Sequence, residues 1–469
     1  MSNTIPTIPG FKGDLVAPSD PSYSAAISRW AINAARPAHT VAFPTSSEDT
    51  ALAIKLAREQ KLPIAIKGGG HSASGASSSE GGLVIDLSRY LNGAEVDVEE
   101  RVVRVGGGAL WDVVDKKAIE HGFATVGGTV NHVRLSWLIL GGGYGWLSGA
   151  YGLAIDNLVQ ATVAVADGSI LTANSQTNPD LFWGIRGGGC NFGVVTEFVL
   201  KLYPQRRTVF GGLCVFAPTV LDKLVEVTQE WWKAGPGEKE GMIQVFTRGP
   251  DAKPMVGIFM FYNGSEEEGR TNYKKFFDLH PVVDMCHELP YEELNSCRLN
   301  KVAVPGRNVY MKGAYHTGSN PDLPKILFER VMERSSDPSF IIVLLTEYFP
   351  LGRTNSVPND ATAFRRGVPS NVLINVIWED DTPERSRFAK ETAHELGELI
   401  NSHAGPGRDD VAYGNYSPDQ VSEVVANGVV AADKAKMLFG SNYPRMQRIK
   451  KKYDPEVLFS KWFAISPAA

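Results

Sequence analysis

The sequence predicts an α+β architecture, and three observations carry that reading. Up to Pro204, short apolar runs alternate with amphipathic stretches in a β-α-β order. Between residues 206 and 409 the strand-like runs lengthen, at 241–247, 254–262, 340–346 and 372–378, and helical stretches near 219–232, 266–277 and 383–403 separate them. This pattern fits a mostly antiparallel sheet covered by helices on one face. Three glycine runs punctuate the first part: Lys67-Gly-Gly-Gly-His-Ser-Ala-Ser-Gly75, Gly141-Gly-Gly-Tyr-Gly145 and Gly187-Gly-Gly-Cys-Asn-Phe-Gly193. A chain of 469 residues has material for two or three domains, and the expected boundaries are 1–205, 206–409 and a closing segment, 410–469.

Taken in order, residues 39–43 read as a strand. Ser46 and Asp49 have the spacing of a capping box and open a helix through Leu52, Leu56 and Leu62, which Pro63 stops. Residues 64–66 form the next strand, which delivers the first glycine run and His71 at its carboxyl end, where α/β folds place ligands. Residues 83–87 and 101–105 are expected to continue that sheet, and Gly122 closes a helix over 110–121. From Ala124 to Val165 the chain is apolar and glycine-rich, then Asp167-Gly168 turns a hairpin into residues 170–172. A short helix starts at Asn178, and a strand over 194–200 follows the third glycine run.

The composition, 43% hydrophobic and 21% charged, is that of a globular protein, and a net charge of -5 argues against a nucleic-acid footprint. The basic run Arg448-Ile-Lys-Lys-Lys452 reads as a solvated helix face. No apolar run reaches the roughly 18 residues of a membrane span. The amino terminus lacks a basic stretch followed by an apolar one, so a cytoplasmic protein, monomeric or homodimeric, is expected. Cys190, Cys214, Cys286 and Cys297 are scattered without metal-ligand spacing, so the reading is reduced thiols and no metal site.

The 47 glycines exceed the usual share of about 7%. Three in succession strip β-carbons from a turn, so the backbone reaches positive φ and presses its N–H groups on an anion such as a diphosphate. Three such runs point to a long phosphate-bearing cofactor touched at several places. His71 stands beside whatever is cradled there, and an imidazole with a pKa of about 6.5 can be neutral at physiological pH and act as a nucleophile.

Several stretches together carry a resemblance. They are Pro44-Thr-Ser-Ser-Glu-Asp, Lys67-Gly-Gly-Gly-His-Ser72, Gly141-Gly-Gly-Tyr-Gly145 with Tyr151-Gly-Leu-Ala-Ile-Asp-Asn157, and Asp180-Leu-Phe-Trp-Gly-Ile-Arg-Gly-Gly-Gly189 with Asn191-Phe-Gly-Val-Val-Thr-Glu197. The tail adds Gly414-Asn-Tyr416 and Asn442-Tyr-Pro-Arg445. In order and content the chain resembles the berberine-bridge-enzyme-like FAD-linked oxidases of the vanillyl-alcohol-oxidase superfamily, over most of residues 40–204 and 410–460. The middle third matches only loosely.

The resemblance implies a PCMH-type FAD-binding domain of two α/β subdomains, completed by the tail, with a substrate domain laid over the isoalloxazine. It implies that His71 bonds covalently to the flavin 8α-methyl. A second, cysteinyl bond is not expected, because Val130 stands where many members carry that cysteine. The other implied cofactor contacts are Lys67, Gly68, Gly69, Gly70, Ser72, Gly75, Gly128, Thr129, Val130, Gly141, Gly142, Gly145, Gly152, Asn157, Gly193, Val194, Val195 and Asn415. Tyr416 matches the tyrosine over the substrate side of the ring, and Tyr144 is a second catalytic candidate. For Tyr416 to act as a base its pKa must fall from about 10 to near 7, about 4 kcal/mol of phenolate stabilisation, for which Arg365 is a candidate cation. Glu347, Tyr348, His316 and Tyr310 lie on or beside strand-like runs and are read as structural.

Three positions depart from the family pattern: Ala73, often tyrosine in plant members, and Arg134 and Trp137, bulky where relatives carry glycine. Near the flavin, these last two side chains must either point away or narrow the space. The favoured reading is hydride transfer from a C–H beside O or N to flavin N5, with reoxidation by dioxygen to hydrogen peroxide and the protein supplying orientation and a base. A non-redox cyclase or isomerase whose flavin is structural, weakly held or lost remains open, with a pure binding module third. The aromatic-rich middle segment favours a moderately apolar small molecule, of the kind met in secondary metabolism, over a sugar.

Overall fold

The computed structural model describes residues 7–296, 305–316, 320–403, 412–418, 424–425, 429–430 and 434–469. The first sheet contains β1 (Asp14–Val16), β2 (Thr40–Phe43), β3 (Ile64–Lys67) and β4 (Leu83–Asp86), in the order β1-β2-β4-β3. Strand β4 lies between β2 and β3 and is parallel to both, so the expected β-α-β unit skips one strand position. The intervening helix, Ser47–Glu59, is capped by Ser46, which accepts the Asp49 amide at 3.2 Å. Only half of the capping box forms, because the Asp49 carboxylate turns to the amides of Lys12 and Thr45, each at 2.9 Å. That helix ends at Glu59, and the left-handed Lys61 (φ 55°) follows it before Pro63 is reached.

The second sheet departs from expectation. Strands β5 (Ala94–Asp97) and β6 (Val102–Gly106) do not extend the first sheet. After the short β7 (Phe123–Ala124), they join β8 (Leu158–Ala164), β9 (Ile170–Asn174) and β10 (Val194–Lys201) in the antiparallel order β5-β6-β10-β8-β9. The signal was in the periodicity: β4 is buried throughout, as a parallel strand between neighbours should be, whereas Arg104 is exposed between buried Val103 and Val105. The hairpin at Asp167-Gly168 forms between β8 and β9, and β11 (Tyr203–Pro204) pairs with β7.

The third sheet comprises β12 (Thr208–Phe216), β13 (Glu240–Arg248), β14 (Pro254–Tyr262), β15 (Val283–Asp284), β16 (His287–Pro290), β17 (Asn308–His316), β18 (Phe340–Tyr348) and β19 (Ser370–Trp378). Its order is β15-β12-β14-β13-β18-β19-β17, with β16 also on β12, and its pairs are antiparallel. Strands β12 and β17 and the helix Leu323–Arg334 were not foreseen, and the helix expected over 266–277 breaks at Tyr273.

The alternation of this sheet decides where the chemistry lies. Met242, Phe246, Ile342, Leu344, Ile374 and Val376 pack under the helices Leu221–Ala234, Leu323–Arg334 and Pro383–Ser402. Their neighbours Ile243, Val245, Val343, Leu345 and Ile377 point the other way, into a core shared with Leu138, Tyr144, Phe364 and Tyr413. Phe439, Tyr443, Met446 and Trp462 of the tail enter that same core, so the closing segment is packed into the first part of the chain.

Candidate functional site

Strand β3 ends in Lys67, whose ammonium pairs with Asp86 of β4 at 2.9 Å, and the chain then runs straight into Gly68-Gly69-Gly70-His71. Gly70 has φ +68°, and a β-carbon there would strike the Arg29 side chain, so the turn needs glycine twice over. The His71 ring is stacked between Trp30 and His132, with centroids 5.7 and 5.3 Å away. Its Nε2 lies 3.0 Å from the His132 carbonyl oxygen. A carbonyl only accepts, so Nε2 carries the ring proton and Nδ1 keeps the lone pair. Desolvation, helped by His132 and Arg134, pushes the imidazole pKa down to about 4, so the ring is neutral at physiological pH.

The second glycine run meets the tail. The Gly143 amide donates to the Tyr413 hydroxyl at 2.9 Å, and Asn415 Nδ2 donates to that hydroxyl at 2.9 Å and to the Trp137 carbonyl at 3.0 Å. A β-carbon on Gly141 would overlap the Asn415 amide, so this contact exists only with glycine. Gly68, Gly69, Gly70, His71 and Ser72 thereby share one cavity of about 70 Å³ with Gly141 and Asn415, and Trp137, Gly189, Cys190 and Trp462 complete much of its wall.

Other expected cofactor contacts stand elsewhere. Lys67 is held by Asp86, and the Gly75 amide closes a turn on the Ser72 carbonyl at 3.3 Å. Gly128, followed by Thr129 and Val130, packs on Leu138, and Gly142 packs against Phe364. Gly145 abuts the Gly127 carbonyl and Gly152 the Asp156 carboxylate. Asn157 is engaged within the fold, donating to Leu153 and Tyr151 carbonyls at 2.8 and 3.1 Å and accepting from the Tyr203 hydroxyl at 2.8 Å. Gly193 presses on the Ala164 carbonyl, and Val194 and Val195 are buried in β10.

The two bulky departures, Arg134 and Trp137, divide the expected outcomes. The guanidinium of Arg134 turns away to the Gly108 carbonyl while its stem covers Gly69. Trp137 instead forms part of the cavity wall. Cys190 also lines this cavity, but burial pushes its thiol up to about 11, leaving it protonated and a poor nucleophile.

On the other side of Tyr413 lies a carboxylate read from sequence as structural. Glu347 falls on the inward phase of β18, after Val343 and Leu345, and accepts the Tyr416 hydroxyl at 2.6 Å and the Asn371 amide at 2.9 Å. The signal that marks it is an acid on the core face of Phe-Ile-Ile-Val-Leu-Leu-Thr-Glu-Tyr. Burial raises the Glu347 pKa, opposed by those two hydrogen bonds. Burial and the Glu347 charge hold Tyr416 well above the ordinary phenol value, so the expected cation-assisted drop does not occur. Arg365 acts instead on Tyr315. Tyr144 stands edge-on to Tyr413 at 5.2 Å, with its buried hydroxyl unpartnered among the described residues. Tyr310 and His316 lie on the helix-covered face, Tyr310 bonded to His394 at 3.0 Å and His316 edge-on to Tyr348 at 5.7 Å.

With this geometry in view, the sequence matches the family described as "FAD binding domain" over residues 38–174 and the one described as "Berberine and berberine like" over residues 412–465. Across 96% of its length it is 33% identical to the FAD-linked oxidoreductase pgmH of Aspergillus terreus, covering 92% of that protein. The chain belongs to the berberine-bridge-enzyme-like FAD-linked oxidoreductases.

Within this family it is also 34% identical to the (R)-6-hydroxynicotine oxidase of Paenarthrobacter nicotinovorans, over 47% of this chain and 48% of that one. Its fold matches that of 6-hydroxy-D-nicotine oxidase from Arthrobacter nicotinovorans with a TM-score of 0.85 at 24% identity, covering 98% of this chain and 99% of the other. A berberine bridge enzyme variant matches with a TM-score of 0.82 at 22% identity, covering 98% of each chain. Among the described residues no helix is long and apolar enough to cross a membrane.

The residues present fit the flavin dinucleotide of an FAD-linked oxidoreductase. The glycine turn offers bare backbone, His71 presents an unprotonated nitrogen, and the Trp137 indole N–H and Tyr144 hydroxyl are buried with no partner among the described residues. Buried polar groups left this way call for a polar ligand.

Proposed function

We propose that the enzyme oxidises a moderately apolar small organic molecule at a C–H beside O or N, with FAD attached through His71 alone, and that Glu347 and Tyr416 together remove the paired proton. FAD bound there would supply the hydride acceptor, with dioxygen as final oxidant and hydrogen peroxide as product. The observation that carries this reading is the 2.6 Å hydrogen bond from Tyr416 to Glu347. A phenol held far above its ordinary pKa is not deprotonated in advance. As the Tyr416 oxygen accepts the substrate's O–H or N–H proton, its own proton passes to Glu347, so no free phenolate is needed. Asn371 holds the second carboxylate oxygen and fixes the direction of that transfer. The neutral His71 with Nε2–H on a carbonyl supports attachment through Nδ1, and the protonated Cys190 supports a single link.

The test is the denatured protein. Flavin should remain on the polypeptide and be lost from it in His71→Ala, and screening alcohols and amines for peroxide formation should find substrates whose oxidation slows in Tyr416→Phe. An unmodified polypeptide mass together with undiminished turnover in His71→Ala overturns the proposal. Trp137, part of the cavity wall, favours the second reading, a cyclase or isomerase with structural flavin. Substrate added without air separates the two: an oxidase bleaches and a cyclase keeps its spectrum.

A further inference from the structure

Cys214 of β12 and Cys286, between β15 and β16, are 72 residues apart in sequence, yet their sulfurs stand 3.6 Å apart. Asp284 is the register partner of Cys214 across β15, and its Oδ1 lies 3.8 Å from the Cys214 sulfur. All three ligand atoms fall within 4.8 Å of one another. Gly212 makes the approach feasible, since a β-carbon there would collide with the backbone of Met285 and Cys286. The two cysteines are buried, at 0% and 3% exposure, while the Asp284 side chain reaches solvent at 33%. The cluster is therefore a closed pair of sulfurs with one carboxylate at its mouth.

These spacings match a tetrahedral ion. With zinc–sulfur bonds of about 2.3 Å and a zinc–oxygen bond of about 2.1 Å, tetrahedral angles put two sulfurs about 3.8 Å apart and sulfur and oxygen about 3.6 Å apart. Two thiolates and a carboxylate carry three negative charges, two of which a divalent ion neutralises, and Arg270 is shared between Asp284 and Glu266, at 2.9 and 2.7 Å. Arg270 already donates to the other Asp284 oxygen at 2.9 Å and to the Cys286 carbonyl at 2.8 Å, the outer-shell role that orients a ligating carboxylate.

We propose that Cys214, Cys286 and Asp284 form a binding site for a thiophilic divalent cation such as zinc, with a fourth position open on the Asp284 side. Binding displaces the two thiol protons to solvent and changes no oxidation state. It ties β15 and β16 at the sheet edge to β12, on the face opposite Glu347. Spacing along the chain hid this pair, because strand pairing rather than sequence proximity brings the ligands together. Cys297 lies outside the described residues.

The test uses the full-length flavoprotein, prepared in reductant and freed of metal with a chelator, then titrated with Cd²⁺. Thiolate-to-cadmium charge-transfer absorption in the ultraviolet should saturate at one ion per chain with two protons released. Cys286→Ala and Cys214→Ala should abolish it, and Asp284→Asn, which replaces an anionic ligand by a neutral amide, should weaken binding. Asp284 is at the surface, so its variant keeps the question decidable if a buried cysteine variant does not fold. Absorption unchanged in Cys286→Ala, no saturable absorption, or wild-type affinity in Asp284→Asn overturns the site. So does wild-type protein prepared without reductant whose mass is two hydrogens low unless Cys286 is replaced, because the pair is then a disulfide.

Discussion

Lys450 and Asp454 form an ion pair with no exposed surface on either side chain, their charged atoms 2.6 Å apart. The ammonium also donates to the Asn191 and Phe459 carbonyls, each at 2.7 Å, so all three of its protons are placed. The tail helix Tyr443–Tyr453 is thereby bonded to the third glycine run. Lys450→Met leaves a buried carboxylate without its cation and should cost about 3–5 kcal/mol in denaturant unfolding. Adding Asp454→Asn should return part of that loss, and a single variant as stable as the wild type would refute the role given to the pair.

Gly141 and Asn415 make the corresponding lock at the second glycine run. Gly141→Ala should push the Asn415 amide off the Trp137 carbonyl and lower stability by about 1–3 kcal/mol, with less flavin per chain after gel filtration. Gly93→Ala, where a β-carbon meets nothing within 4 Å, is the control and should match the wild type.

The Tyr416–Glu347 bond makes a pH prediction. Glu347 must be ionised to take the proton, and its pKa is raised above the ordinary 4.5 by burial, so substrate oxidation should fall as pH drops through that raised value. Glu347→Gln should slow flavin reduction about 10²–10⁴-fold and remove this acid limb from the pH–rate profile. A retained limb would assign it to another group.

Asp115 lies wholly inside, where burial pushes its carboxyl up to about 7, and Asn295 donates to it at 3.0 Å while accepting from the Trp146 indole at 3.1 Å. Its folded pKa exceeds the unfolded one, so the stability tied to its protonated form is complete below about pH 4 and lost as pH rises through 7. Asp115→Asn, uncharged at every pH, should therefore melt higher than wild type at pH 8, by up to roughly 4 kcal/mol, with the difference closing in acid. Parallel melting curves at both pH values would contradict this.

His316, under the helices of the third sheet, shows the opposite sign. Burial lowers its imidazole to about 4, so unfolding takes up a proton between pH 6.5 and 4, and stability falls as pH drops through that window. His316→Gln should flatten this slope by up to roughly 3 kcal/mol, read from urea midpoints across the window.

Residue sequence alone marked the glycine turn, His71, Tyr416 and four of the long strands of the third sheet, because each is written in neighbouring residues: a run of glycines, a motif, an apolar run of strand length. The alternation of β18 put Glu347 on the inward phase, but its meaning needed the partner. Sequence could not show that residues 102–106 leave the first sheet, that Trp137 lines the cavity while Arg134 turns away, or that Cys190 shares a wall with His71.

What the chain determined by itself is therefore the family, the fold class and the histidine that follows the glycine turn. The tertiary structure alone decided that Tyr416 remains a phenol on a carboxylate 69 residues earlier, and that two distant cysteines touch. The reason is physical. Propensity and periodicity act over a few residues, whereas strand order and burial set which charges meet and how far water is kept from them.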